Sequence, residues 1–307
     1  MKKIYIHLCL LLGLVAAGCS KSELKPEGKK DLYKVKFQAT QFTETHETLA
    51  SAKLKNSVLD DSLKKYVPKL YCQIYKFSDE NPEEAYLVYS KSQLSTQQGF
   101  GKIDTSLASG NYVAIFVGSG HMFYRLMGLG SGWLDEIYSN SHFNTVSAMT
   151  DQHRPVDQIF YKKVLFTVAD QAVNQTVNMQ RIVAGLDLSI TDEIPPNVTA
   201  IDLIVDDTAI YSFKTDTRSN NVDKIAGFYP HQAPGKKTIS MFVLANGTRK
   251  VTIRALSQDG TVAEKIVNCS FFTNRKTSLK GKLFSSDAQF AVTVDPAWGE
   301  PGPVIPF

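Results

Sequence analysis

The run Ile182–Ile190, IVAGLDLSI, places Ile182, Ala184, Leu186, Leu188 and Ile190 on one side of an extended chain, and Val183, Gly185, Asp187 and Ser189 on the other. A period of two is the pattern of a β-strand with one face on a core and one face in water. The same period recurs at Val35, Phe37 and Ala39, at Leu70, Cys72 and Ile74, at Val251 and Ile253, and at Phe290, Val292 and Val294. Turn chemistry separates these runs at Ser109-Gly110-Asn111, Pro195-Pro196-Asn197, Asn246-Gly247 and Asp259-Gly260. The last lies between two strand candidates and predicts a hairpin. Only Glu47–Tyr66 carries a helical spacing, through Leu49, Ala52, Leu59 and Leu63, and that segment reads equally as a long loop. Many short strands with almost no helix predict an all-β chain built from β-sandwiches.

The chain has 307 residues, 43% hydrophobic and 21% charged. That length fits two sandwiches better than one. The expected division is residues 32–172, carrying a long insertion rich in Gly, Ser, Asn and Met near 121–156, and residues 173–307. The second ends in an irregular tail, 297–307, marked by Pro301, Pro303 and Pro306. This composition excludes extended disorder, and four cysteines are too few for a disulfide-dense miniprotein. A formal charge of +4 gives no sign of a nucleic-acid partner.

The first residues read as an address. Lys2 and Lys3 precede the apolar stretch Ile4–Val15, and Ala16-Ala17-Gly18 then lead to Cys19. Those are the three regions of a secretory signal peptide, residues 1–18. The apolar stretch is shorter than the roughly 20 residues needed to span a bilayer. A cysteine directly after small residues resembles a bacterial lipobox, which implies cleavage before Cys19 and acylation, including palmitate, at that residue. The alternative is ordinary secretion with a chance cysteine. Several acyl chains exceed the two-signal threshold for stable membrane anchoring. Residues 19–31 then form a polar, flexible tether holding Pro26 and Gly28. Loss of Lys2 and Lys3 leaves 32 basic side chains against 30 acidic, a formal charge of +2. The expected location is the outer membrane, lipid-anchored and exposed at the cell surface.

Three segments carry a family resemblance: Phe100–Gly120 (FGKIDTSLASGNYVAIFVGSG), Arg181–Val205 (RIVAGLDLSITDEIPPNVTAIDLIV) and Asn274–Pro301 (NRKTSLKGKLFSSDAQFAVTVDPAWGEP). With the lipobox they resemble the fimbrillin and fimbrial-anchor lipoproteins of Bacteroidetes. The resemblance implies two transthyretin-like β-sandwich domains, a part in a type V pilus-like fimbrium, and other fimbrial subunits as partners. Polymerising shaft members of that family lose their lipidated first strand by cleavage after an arginine. This chain has no arginine before Arg125, and Lys21–Val35 holds only lysines. Lysine does not reproduce the bidentate geometry of a guanidinium in an arginine-specific pocket. The expectation is therefore an anchor or accessory subunit, structural and adhesive, that keeps its lipid. The alternative is a surface lipoprotein binding a glycan or a host protein.

Residue types and their spacing form no catalytic constellation. None of the six histidines forms the i, i+4 pair of a helical zinc site. His142 and His153 share the insertion with Asp135 and Asp151, where solvated loop histidines are the plainer reading. Asp60-Asp61, Glu83-Glu84 and Asp206-Asp207 are adjacent, so on a strand their carboxylates point apart. Gly128-Leu129-Gly130-Ser131-Gly132 lacks the strand-to-helix context of a phosphate loop, and Gly118-Ser119-Gly120 lacks the spacing of a nucleophile elbow. Both read as flexible loop. No enzymatic activity, cofactor or metal is expected. Cys72 and Cys269 read as separate buried thiols. Trp133, beside glycines in the insertion, is the candidate for stacking on a ligand ring; Trp298, by the tail, is a weaker one.

Overall fold

The computed structural model describes residues 31–40, 62–79, 84–119, 125–126, 147–149, 158–208, 210–218, 222–230, 237–285 and 289–295. Almost all of them are strand, in two sandwiches. In the first, β1 (Leu32–Thr40) forms antiparallel pairs with β4 (Lys102–Ala108) and parallel pairs with β9 (Val173–Asn178). Facing that three-stranded sheet is a five-stranded one. Its order is β10 (Gln180–Arg181), β8 (Ile159–Val168), β5 (Gly110–Ser119), β2 (Lys69–Phe77) and β3 (Ala85–Leu94). Val35, Phe37, Ala39, Cys72, Ile74, Ala114 and Phe116 fill the space between them. The short helix α1 (Ser62–Tyr66) is the described part of the segment with helical spacing, and its Leu63 closes one end of that core.

The second sandwich follows the same logic. One sheet runs β16 (Lys237–Val243), β11 (Ala184–Ile190), β19 (Lys276–Gly281) and β20 (Phe290–Asp295). The other runs β15 (Val222–Pro230), β12 (Ala200–Thr208), β17 (Gly247–Ser257) and β18 (Gly260–Phe271). Leu186, Leu188 and Ile190 meet Ile201, Leu203, Val251 and Ile253 in the core, as their alternation predicts. Asp259-Gly260 turns the β17–β18 hairpin, with Gly260 at φ 120°. Strand β20 exists where Phe290, Val292 and Val294 alternate, but it is an edge strand and exposed along most of its length.

Four expectations change. The boundary does not fall at residue 173, because β9 and β10 pair with β1 and β8 of the first sandwich; the chain crosses over only after Arg181. Strand β2 is not half-buried, since Tyr71, Gln73 and Tyr75 are buried along with Leu70, Cys72 and Ile74. Gly118 and Ser119 are the buried end of β5, not a loop. A Cβ on Gly118 would meet Val67 Cγ1 at 2.7 Å, so only glycine lets the helix–strand corner approach so closely. The stretch 121–156 contributes two described strands, β6 (Arg125–Leu126) and β7 (Ser147–Met149). They join β13 (Ile210–Ser212) and β14 (Thr217–Arg218) in a small sheet shared by both halves of the chain.

Candidate functional site

Cys19, residues 19–30 of the tether, Trp133, Trp298 and all six histidines lie outside the described residues, as do Asp135 and Asp151. Cys72 and Cys269 are free and buried in different cores. Burial pushes the Cys72 thiol strongly up and that of Cys269 up to about 11, so neither supplies a thiolate at neutral pH. Asp206 and Asp207 do point apart. Asp206 faces outward toward Lys250 at 3.4 Å, while Asp207 is fully buried and accepts the Leu244 N–H at 2.8 Å. Among the described residues no three His, Cys, Asp or Glu side chains come together as metal ligands.

Two structural features bear on function. The first is the seating of β1, the strand that directly follows the tether. It occupies the centre of its sheet, with Val35, Phe37 and Ala39 almost wholly buried. Phe37 packs edge-on against Phe116 at 5.4 Å and Phe166 at 5.2 Å. The alternation of apolar and polar residues sets this register, since a one-residue slip would drive Lys34, Lys36 and Gln38 into the core. The outward face is polar, carrying Lys36, Gln38, Lys102, Asp104, Asn174 and Thr176. It offers no aromatic platform for a sugar ring.

The second feature is the seam between the sandwiches. Tyr71, Tyr75, Val113, Ile115 and Val117 cover the far face of the five-stranded sheet and pack with Ile182, Val183, Tyr211, Phe213 and Leu244. Arg218 lies at this seam, with all its partners from the second half of the chain. Its guanidinium donates to the carbonyls of Leu244 and Ile182 and to Thr273 Oγ1, and lies over the Tyr211 ring. Burial lowers its pKa from the ordinary arginine value, and the carbonyl acceptors answer its desolvation. Lys163 of β8 reaches across to Asp216 at 2.6 Å and to the Lys214 carbonyl. Tyr161 donates to the same Asp216, stacks on Phe213, and is raised in pKa chiefly by burial. Arg181 spans Gln158 and Asn274. None of these residues stands out in the sequence. The signal available was the unbroken apolar run Val113–Val117, VAIFV, which is what a strand covered on both faces produces.

The model of the fimbrillin-A associated anchor proteins Mfa1 and Mfa2 matches residues 55–270. This chain belongs to that family. Two solved structures share the fold, and a third is similar. A candidate polysaccharide-binding protein from Bacteroides thetaiotaomicron is 10% identical, with 86% of this chain and 96% of that one covered and a TM-score of 0.55. A candidate adhesin from the same organism is 9% identical, with 88% and 98% covered and a TM-score of 0.51. The fimbrial anchor protein Mfa2 of Porphyromonas gingivalis is 13% identical, with 87% and 98% covered and a TM-score of 0.49. No curated protein matches the chain.

Proposed function

We propose that this member of the anchor family is a non-enzymatic lipoprotein of the outer membrane, exposed at the cell surface. Acyl chains on Cys19 hold it there, and it serves as an anchor or accessory subunit of a fimbria-like assembly. The observation that carries this reading is the seating of β1. The strand next to the tether is an integral, central part of the first sandwich, and no arginine precedes Arg125 to invite its removal. A subunit that keeps this strand keeps its lipid. The partners are other fimbrial subunits, met through sheet edges or loops of the body. Mass spectrometry of the surface-exposed protein tests the reading: a mature chain beginning at an acylated Cys19 is expected, and a chain beginning downstream of Thr40 refutes it.

A glycan- or host-ligand-binding role through Trp133 is the second reading, favoured by the fold shared with the candidate polysaccharide-binding protein. It predicts glycan-array binding that disappears in Trp133→Ala.

A further inference from the structure

The ladder between β1 and β9 is parallel, with six register pairs from Val35 opposite Val173 to Thr40 opposite Asn178. Both strands start at the end of the sandwich where the tether enters, at Leu32, and both run toward the second sandwich. The chain leaves β9 at Asn178 and passes through β10 into β11. A force drawing the tether away from the second sandwich therefore pulls β1 backward and β9 forward, along their own axes. All six pairs resist that displacement together. The antiparallel pairing of β1 with β4 behaves differently under a local load, because Leu32 and Ala108 lie side by side at one end. Pulling those two ends apart opens the ladder one pair at a time.

We propose that the β1–β9 pair is a shear clamp, the site at which the first sandwich bears tension from its tether. The source of that tension rests on the anchor reading above; the clamp itself rests on strand direction and packing. Sliding β1 is opposed by its side chains as well as its backbone. Phe37 is wedged between Phe116 and Phe166 of the facing sheet, and a shift by one residue would bury Lys36 in its place. The end of the pair nearest the second sandwich is tied again. Thr40 Oγ1 donates to Asn178 Oδ1 at 2.7 Å, and the Met179 N–H donates to the Thr40 carbonyl at 3.3 Å. The load thus enters β9 where its join to β1 is reinforced.

Force spectroscopy on the mature chain carrying Cys19→Ser tests this in two pulling geometries. Handles at Asp31→Cys and Gln180→Cys load the pair in shear. Handles at Asp31→Cys and Ser109→Cys peel β1 from β4. All three handle positions are exposed, so the core is untouched. At one loading rate the shear geometry is expected to rupture at about threefold higher force, because forced unfolding reads the barrier met along the pulled direction. Equal forces, or a weaker shear geometry, overturn the clamp. Metabolic palmitate labelling of the unaltered protein in cells reports separately on Cys19. An unlabelled protein with the force ratio intact removes the anchor reading and leaves the clamp standing.

Discussion

Truncating Phe37 to alanine tests whether β1 is part of the fold or an attachment to it. Phe37 is 2% exposed, at the midpoint of β1, with two aromatic rings against its edges. Removing a buried phenyl ring from a packed core costs about 3–5 kcal/mol, lost transfer energy and cavity together. The two edge-on ring contacts place this site toward the middle or top of that range, at about 4 kcal/mol. For a cooperative unit of 150–250 residues each kcal/mol moves the midpoint by about 2–4 °C, so the variant should melt roughly 8–16 °C lower. The control is the next residue. Lys36 points outward, and its ion pair with Asp104 spans 3.7 Å between two well-exposed side chains. Lys36→Ala should stay within about 0.5 kcal/mol of the parent. Thermal and urea denaturation of the parent and both variants supplies the numbers. Should Phe37→Ala cost no more than Lys36→Ala, β1 contributes nothing to the fold, and the argument for a retained first strand collapses.

Other perturbations probe the rest of the structure. Arg218→Ala leaves the Leu244 and Ile182 carbonyls and Thr273 without their shared donor, at about 2–3 kcal/mol, a loss that urea denaturation should read. Asp192 accepts N–H bonds from Leu283, Phe284 and Ser285, and although burial opposes its charge these bonds hold its pKa below the usual carboxylate value. Its stabilising contribution is therefore present above the unfolded pKa and is lost as pH falls through the lower folded value, a loss that Asp192→Asn, followed by acid titration, should no longer show. Gly118→Ala forces a methyl against Val67 and should cost about 1–3 kcal/mol in urea denaturation. Labelling of the acylated protein without reductant should count two thiols when unfolded and none when native; a count of zero after unfolding would mean a disulfide between Cys72 and Cys269.

Legibility in the sequence followed the range of the forces involved. Strand β11 and the β17–β18 hairpin were readable because a two-residue period and an Asp-Gly turn are local signals. The place of strand β9, Val173–Asn178, is illegible for the opposite reason. Its sequence VNQTVN is mostly polar, and its partner Val35 lies far back in the chain, so a parallel pairing leaves no neighbouring trace. Tyr71 and Tyr75 read as the wet face of β2 because tyrosine suits water and core alike; what covers them, Tyr211 and Phe213, comes from the small sheet region in the second half of the chain. The seam arginines were invisible on similar grounds. A buried guanidinium is specified by the carbonyls around it, and Arg218 draws those from Leu244 and Ile182.

The first strand sets opposite demands on the two kinds of subunit in this family. On the family resemblance drawn from the sequence, a polymerising shaft subunit gives it up so that a neighbour's strand can take its place. A subunit fixed in the membrane through that same strand must never release it. Here the strand lies between β4 and β9, and its loss would strip both of their shared partner and uncover Phe116, Phe166, Ile103 and Leu107 at once. Such a gap exposes unpaired backbone and apolar side chains together, the combination that drives aggregation unless a replacement strand arrives promptly. The lysine-only approach to β1 removes the guanidinium that an arginine-specific protease would grip, so the chemistry of the tether and the packing of the strand act in the same direction. The parallel β1–β9 pair adds a mechanical reason for retention, because a strand that bears tension in shear is useful only while it stays covalently joined to the tether.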